Sequence, residues 1–197
     1  MDETPVPRTR IRTIVVFSML FAILGAVVVF AYFATFSRPI TTVILVRHGE
    51  KVIDPNNPNA LLTTEGQARA QELVHVLGNA GITAVYATQV TRTQQTAKPI
   101  ADRLGLQTNI VEATKTPELV RQIRSKNTGS VVLVVGHTNS VPEVITALGA
   151  DSVPAIPETE YDNLYVVTLY RFGKAKVVRL KYGNSSPTGG ASETMMR

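Results

Sequence analysis

The run Arg47-His48-Gly49-Glu50 closes an apolar stretch, Val43-Ile44-Leu45-Val46. A second histidine, His137, closes another, Val131-Val132-Leu133-Val134-Val135-Gly136. Between them lies Thr91-Arg92-Thr93-Gln94-Gln95-Thr96. A neutral imidazole can attack phosphorus and hold it as a covalent phosphohistidine. It needs its lone pair aimed, which a backbone acceptor on the other ring nitrogen arranges. It also needs cations around the phosphoryl oxygens, and the planar fork of arginine suits that task. Arg47, beside His48, and Arg92, at a helix start, are placed to reach one phosphate, with His137 donating to a third oxygen. Backbone amides of the Arg92 turn add further donors.

The elements that must position these side chains alternate. Strands are expected at 42–46, 82–87, 108–111 and 130–135. Helices are expected from Leu62-Thr63-Thr64-Glu65-Gly66 to about Asn79, over 91–104, from Thr116-Pro117 to about Ser125, and from Pro142 to Leu148-Gly149. Pro99 is expected to kink or divide its helix. Asn139 is read as a helix cap. Residues 51–60 and 151–161 read as loops, and 164–170 with 174–180 as a closing hairpin. Such alternation implies a three-layer α/β/α domain on a mostly parallel sheet. Sites in such sheets lie beyond the carboxyl ends of the strands, where Arg47-His48 and His137 stand.

Residues 14–36, IVVFSMLFAILGAVVVFAYFATF, carry no charge and are long enough to span a hydrocarbon core of roughly 30 Å. Arg8, Arg10 and Arg12 precede them, against Arg38 beyond. That bias predicts a single-pass anchor with a cytoplasmic N-terminus and the rest of the chain exported. The rival is a cleaved signal, which would leave a secreted or periplasmic protein, but bulky rings at Tyr32, Phe33 and Phe36 replace the small residues a cleavage site needs. The expected organisation is a basic flank at 1–13, a transmembrane helix at 14–36, a catalytic domain at 37–182 and a disordered tail at 183–197. The chain has 197 residues, a formal charge of +5 and no cysteine, which excludes disulfides and thiol catalysis. No basic run interleaved with aromatic residues marks a nucleic-acid surface. Nothing in the sequence fixes an oligomeric state.

The residues that suggest this chemistry also resemble a family. Leu45-Val46-Arg47-His48-Gly49-Glu50 resembles the signature of the histidine phosphatase superfamily, the phosphoglycerate-mutase-like group. Leu62-Thr63-Thr64-Glu65-Gly66, the stretch Thr88 to Thr96, and Gly136-His137 are similar to its later landmarks, in order, over about residues 42–180. The resemblance implies that His48 is the phosphorylated nucleophile and that Arg47, Arg92 and His137 bind phosphate. It also implies an acid that protonates the leaving oxygen. Glu112, after the strand at 108–111, is the first choice, and Glu118, Glu50 and Asp54 are alternatives. Glu50 is otherwise expected to orient Lys51 or Arg47. Lys51 is either a solvated loop charge or a substrate contact, and Arg69 and Arg103 are read as solvated helix charges.

The intervals between landmarks leave no room for the large lid that mutases carry, so hydrolysis is expected over transfer. No cofactor is called for. No metal is implied, because the arginines supply positive charge and no histidine–carboxylate cluster has ligand spacing. The expected activity is a metal-independent phosphomonoester hydrolase acting on a phosphorylated small molecule. The alternatives are a phosphohistidine or phosphoprotein phosphatase, and a membrane-tethered phospholigand-binding domain of weak activity.

Overall fold

The computed structural model describes residues 8–36 and 39–186. The chain divides into two units, one ending at Arg38 and the other beginning at Pro39. In the first, α1 runs over Arg8–Phe36, and its segment Arg12–Ala34 has a mean hydropathy of 2.9 with no part buried. At 1.5 Å per residue those 23 residues rise about 35 Å, enough to cross a bilayer core. An N-terminal helix of this kind suits an anchor or a signal sequence.

The second unit is built on six strands: β1 (Pro39–Arg47), β2 (Ile82–Thr88), β3 (Thr108–Val111), β4 (Val131–Gly136), β5 (Asn163–Tyr170) and β6 (Lys176–Lys181). Four helices accompany them: α2 (Thr64–Leu77), α3 (Thr91–Leu104), α4 (Thr116–Lys126) and α5 (Ser140–Ala147). The sheet order is β3-β2-β4-β1-β5-β6. Only β5 runs against the others, since it pairs antiparallel with both β1 and β6.

Both apolar runs form central strands because each of their faces meets a helical layer. Val43, Leu45, Val132 and Val134 pack with Ile123 of α4 and with Val144 and Ile145 of α5. Ile44, Val46, Leu133 and Val135 pack with Leu73 and Leu77 of α2 and with Ala97 and Ile100 of α3. That is the three-layer arrangement expected of uninterrupted apolar strands. The outer strand β6 meets solvent with Lys176 and Lys181, charges that discourage further pairing.

Several local expectations are corrected. Pro99 neither ends nor divides α3, which continues to Leu104. Thr116 is buried inside α4, whose cap position is Lys115, without a side-chain bond. Helix α5 begins at Ser140, ahead of Pro142. Residues 183–186, expected as part of the tail, are tied to the domain. Asn184 O accepts from Arg69, and Ser186 Oγ accepts from the backbone N–H groups of Tyr161 and Asp162. The rest of that tail, 187–197, and residues 1–7 of the basic flank lie outside the described residues.

Candidate active site

Parallel pairing of β1 with β4 sets Arg47 opposite Gly136, and His48 N–H extends the ladder to Gly136 O at 3.0 Å. The two apolar runs therefore end at one level. The rings of His48 and His137 meet edge to face, with centroids 5.4 Å apart. Strand β2 brings Thr88 to the same edge, and the first turn of α3 brings Arg92. The turn after His48 is fixed by a close backbone approach. A Cβ on Gly49 would stand 2.7 Å from Gly66 O, and one on Gly66 would stand 2.2 Å from Glu50 O. Glycine is required on both sides, which explains why Arg47-His48-Gly49-Glu50 and the segment ending at Gly66 occur together.

His48 is buried, and its Nδ1 lies 2.7 Å from Gly49 O. A carbonyl only accepts, so Nδ1 carries the hydrogen and Nε2 keeps its lone pair. The His48 pKa is lowered to about 3, first by burial, then by the charges of Arg47 and Arg92, against the Gly49 hydrogen bond. The ring is a neutral nucleophile at any physiological pH. Gly49 N–H donates to Thr96 Oγ1 at 3.0 Å, which holds the turn onto α3.

His137 is held through a hydroxyl chain. Thr93 Oγ1 donates to Val90 O at 2.7 Å, and Thr88 Oγ1 lies 2.8 Å from Thr93 Oγ1. Thr88 Oγ1 in turn lies 2.9 Å from His137 Nε2. With the Thr93 proton committed to the carbonyl, Thr88 donates to Thr93 and accepts from His137 Nε2–H. Nδ1 of His137 is then an acceptor, 3.4 Å from the Arg92 NH2 donor. Burial, followed by the charges of Arg92 and Arg47, lowers the His137 pKa to about 4.

The two arginines are used differently. Arg92 gives one N–H to Pro58 O at 3.0 Å and faces His137 with the other end. Arg47 is 1 % exposed. Its NH1 donates to the carbonyls of Pro157, Glu158 and Glu160 at 2.8–3.1 Å, and its NH2 pairs with Glu158 Oε2 at 2.7 Å. Its guanidinium lies 4.2 Å from the Tyr161 ring centroid, a cation–π contact. Nε of Arg47 and Nε of Arg92 are buried without a hydrogen-bond partner.

Arg47, His48, Arg92 and His137 thus line one pocket, with Lys51, Val90, Ala113, Thr138, Asn139 and Glu158. Asn139 makes no capping bond and stands on this wall; the helix-end hydroxyl that works is Ser140 Oγ, which accepts from His137 N–H. Glu112 is not brought to this pocket. It pairs with Lys115 at 3.2 Å and lines a neighbouring apolar cavity with Tyr86 and Val134. Glu118 accepts from Gln122, and Asp54 closes a local turn onto Asn56. Glu50 orients neither Lys51 nor Arg47; it binds Arg69, which is buried rather than solvated. Sequence reasoning missed Tyr161, Glu158, Thr88 and Thr96. Thr88 ends a strand at the level of the histidines, so topology alone marks it, and Thr96 lies in the stretch already singled out around Arg92; Tyr161 and Glu158 have no local signal. Among the described residues no group of three or more histidines and carboxylates is set to hold a metal ion.

The family model for the histidine phosphatase superfamily (branch 1) matches residues 43–119. No curated protein matches the sequence. Among solved structures, the protein histidine phosphatase SixA complexed with tungstate is similar at 19 % identity and TM-score 0.60, over 71 % of this chain and 96 % of that one. A mycobacterial glucosyl-3-phosphoglycerate phosphatase with inorganic phosphate is similar at 13 % identity and TM-score 0.57, over 73 % and 97 %. A protein named mycobacterial hydrolase 2 is similar at 12 % identity and TM-score 0.58, over 79 % and 94 %. At such identities these likenesses show the shared fold.

Proposed function

We propose that the chain is a member of the histidine phosphatase superfamily, whose family model matches residues 43–119, and that it is a metal-independent phosphomonoester hydrolase working through a phosphohistidine on His48. The observation that carries this reading is a buried imidazole with a fixed tautomer beside two guanidinium Nε donors that have no partner. An oxyanion is the ligand that answers both, since it supplies acceptors to the arginines and phosphorus to Nε2.

In the first half-reaction the Nε2 lone pair of His48 attacks phosphorus and the bond to the leaving oxygen breaks. Arg92, Arg47 and His137 hold the remaining phosphoryl oxygens as charge develops on them. Burial and then the two arginines disfavour a second proton on His137; the incoming anion offsets the arginines, so Nδ1 of that ring takes the proton of the phosphate monoanion and donates it back to a phosphoryl oxygen. In the second half-reaction water attacks the phosphoenzyme, and His48 leaves with its lone pair restored. Glu112 enters this scheme only by leaving its contact with Lys115. The substrate is a phosphorylated small molecule. A phosphoprotein reading is favoured by one observation, the likeness to a protein histidine phosphatase.

In this proposal residues 14–36 anchor the chain, the N-terminus is cytoplasmic, and the catalytic unit is exported, the orientation that the arginines before the span favour. One experiment tests chemistry and side together. Intact cells expressing the full chain are given a membrane-impermeant aryl phosphate in the presence of chelator, and the isolated protein is then probed for acid-labile phosphate. Turnover with phosphate trapped on His48, both abolished by His48→Ala, is the expected result. Loss of turnover with chelator, or full activity in His48→Ala, refutes the mechanism; turnover only after lysis reverses the orientation.

A further inference from the structure

Among the described residues Glu158 is the only carboxylate that lines the His48 pocket, which it shares with Arg47, Lys51 and Arg92. Its backbone is fixed and its side chain stands in solvent. Arg47 NH1 holds three carbonyls of residues 157–160, Tyr161 packs under the same guanidinium, and Lys181 ties Glu160 and Asp162. Ser186 pins the next two backbone amides. The carboxylate itself is 73 % exposed and held by a single ion pair to Arg47 NH2.

We propose that Glu158 determines the specificity of this site: the phosphoryl group displaces its carboxylate from Arg47, and the freed carboxylate then selects leaving groups that are cationic or donate N–H over leaving groups that bring a second anion. The inference rests on the phosphatase reading above. Two anions compete for one edge of Arg47, and the phosphate has Arg92 and both unpaired Nε donors to hold it as well. The displaced carboxylate rotates outward but stays at the mouth, because its Cα is tied. His48 and Arg47 are buried and form the floor, so a substrate with phosphorus on His48 extends its remainder toward the exposed side, past Glu158. A unit charge met there at about 5 Å, in a dielectric between that of surface and water, changes binding on the order of tenfold.

The full chain in detergent is assayed on 2-aminoethyl phosphate and on 3-phosphoglycerate, as wild type and as Glu158→Gln, so that intrinsic reactivity cancels in the ratio. The kcat/KM ratio of the amino to the carboxylate substrate should fall about ten- to a hundredfold in the variant. Tungstate binding, measured by calorimetry without turnover, should tighten severalfold. A ratio within about twofold of wild type, or unchanged tungstate affinity, overturns the proposal. An equal loss on both alkyl phosphates with an aryl phosphate spared also overturns it, and makes Glu158 a proton donor instead. His48→Ala run beside them separates the two failures: if it retains activity, the phosphatase reading falls first.

Discussion

Among the described residues two buried arginines pair with glutamates, and the two pairs are built to opposite ends. Arg69 (5 % exposed) meets Glu50 (22 % exposed) through Nε and NH2, while NH1 and NH2 also take the carbonyls of Tyr182 and Asn184. Both partners are fixed, and the pair joins the turn after His48 to α2 and to the C-terminal segment. Arg47 is just as buried, but its glutamate stands in solvent. The same two residue types serve as a permanent tie in one place and as a replaceable contact in the other. Burial of the carboxylate decides which, because a buried charge cannot be left without its partner.

The largest effect is expected on the fixed pair. Arg69→Ala leaves Glu50 charged and two carbonyls without donors, and should cost about 3–5 kcal/mol of stability. Denaturant unfolding of the full chain checks this; a loss below about 1 kcal/mol would erase the distinction between the pairs. Next comes the pocket itself. Arg92→Ala should lower kcat/KM by on the order of 10²–10³, about 3–4 kcal/mol of transition-state stabilisation, with little change in unfolding midpoint. A large midpoint shift with modest kinetic loss would make Arg92 another structural tie.

The smallest effect concerns pH. The folded pKa values of His48 and His137, about 3 and about 4, lie below the ordinary 6.5, so both rings stay neutral as pH falls through 6. After correction for the substrate's own ionisation, kcat/KM should change less than about twofold between pH 7 and 5.5, where an unshifted imidazole would lose about eightfold. The sign for stability follows. The contribution of neutral burial is complete above about pH 6.5 and is lost as pH falls toward 4 and then 3, because the unfolded chain takes up protons that the folded one refuses. Resonances of His48 or His137 titrating near 6.5 in the folded protein would contradict this.

What the sequence made legible follows from the range of each interaction. The apolar runs, their helices and the histidines at their ends were readable because strand periodicity and the carboxyl-edge rule are local. Arg69 was misread because a helix charge looks solvated until a partner from the preceding turn and two carbonyls from beyond residue 180 arrive. Glu158 and Tyr161 sit in a proline-rich loop with no period, and partners distant in sequence, Arg47, Lys181 and Ser186, give that loop its shape. Asn139 and Thr116 carried good capping signals; Asn139 does hold the cap position of α5 but makes no side-chain bond there, and Thr116 lies one residue inside α4, whose cap position is Lys115.

The strand order has a kinetic meaning. His48 ends β1 and His137 ends β4, which are neighbours in the sheet although three helices and two other strands separate them along the chain. Central strand β4 must enter between β1 and β2, a non-local pairing that closes a long loop and is slow compared with forming the helices. Nucleophile and phosphate ligands therefore have no common wall until the sheet closes. An unfinished chain holds His48 and Arg92 without a pocket, so activity arrives in one step with the completed fold.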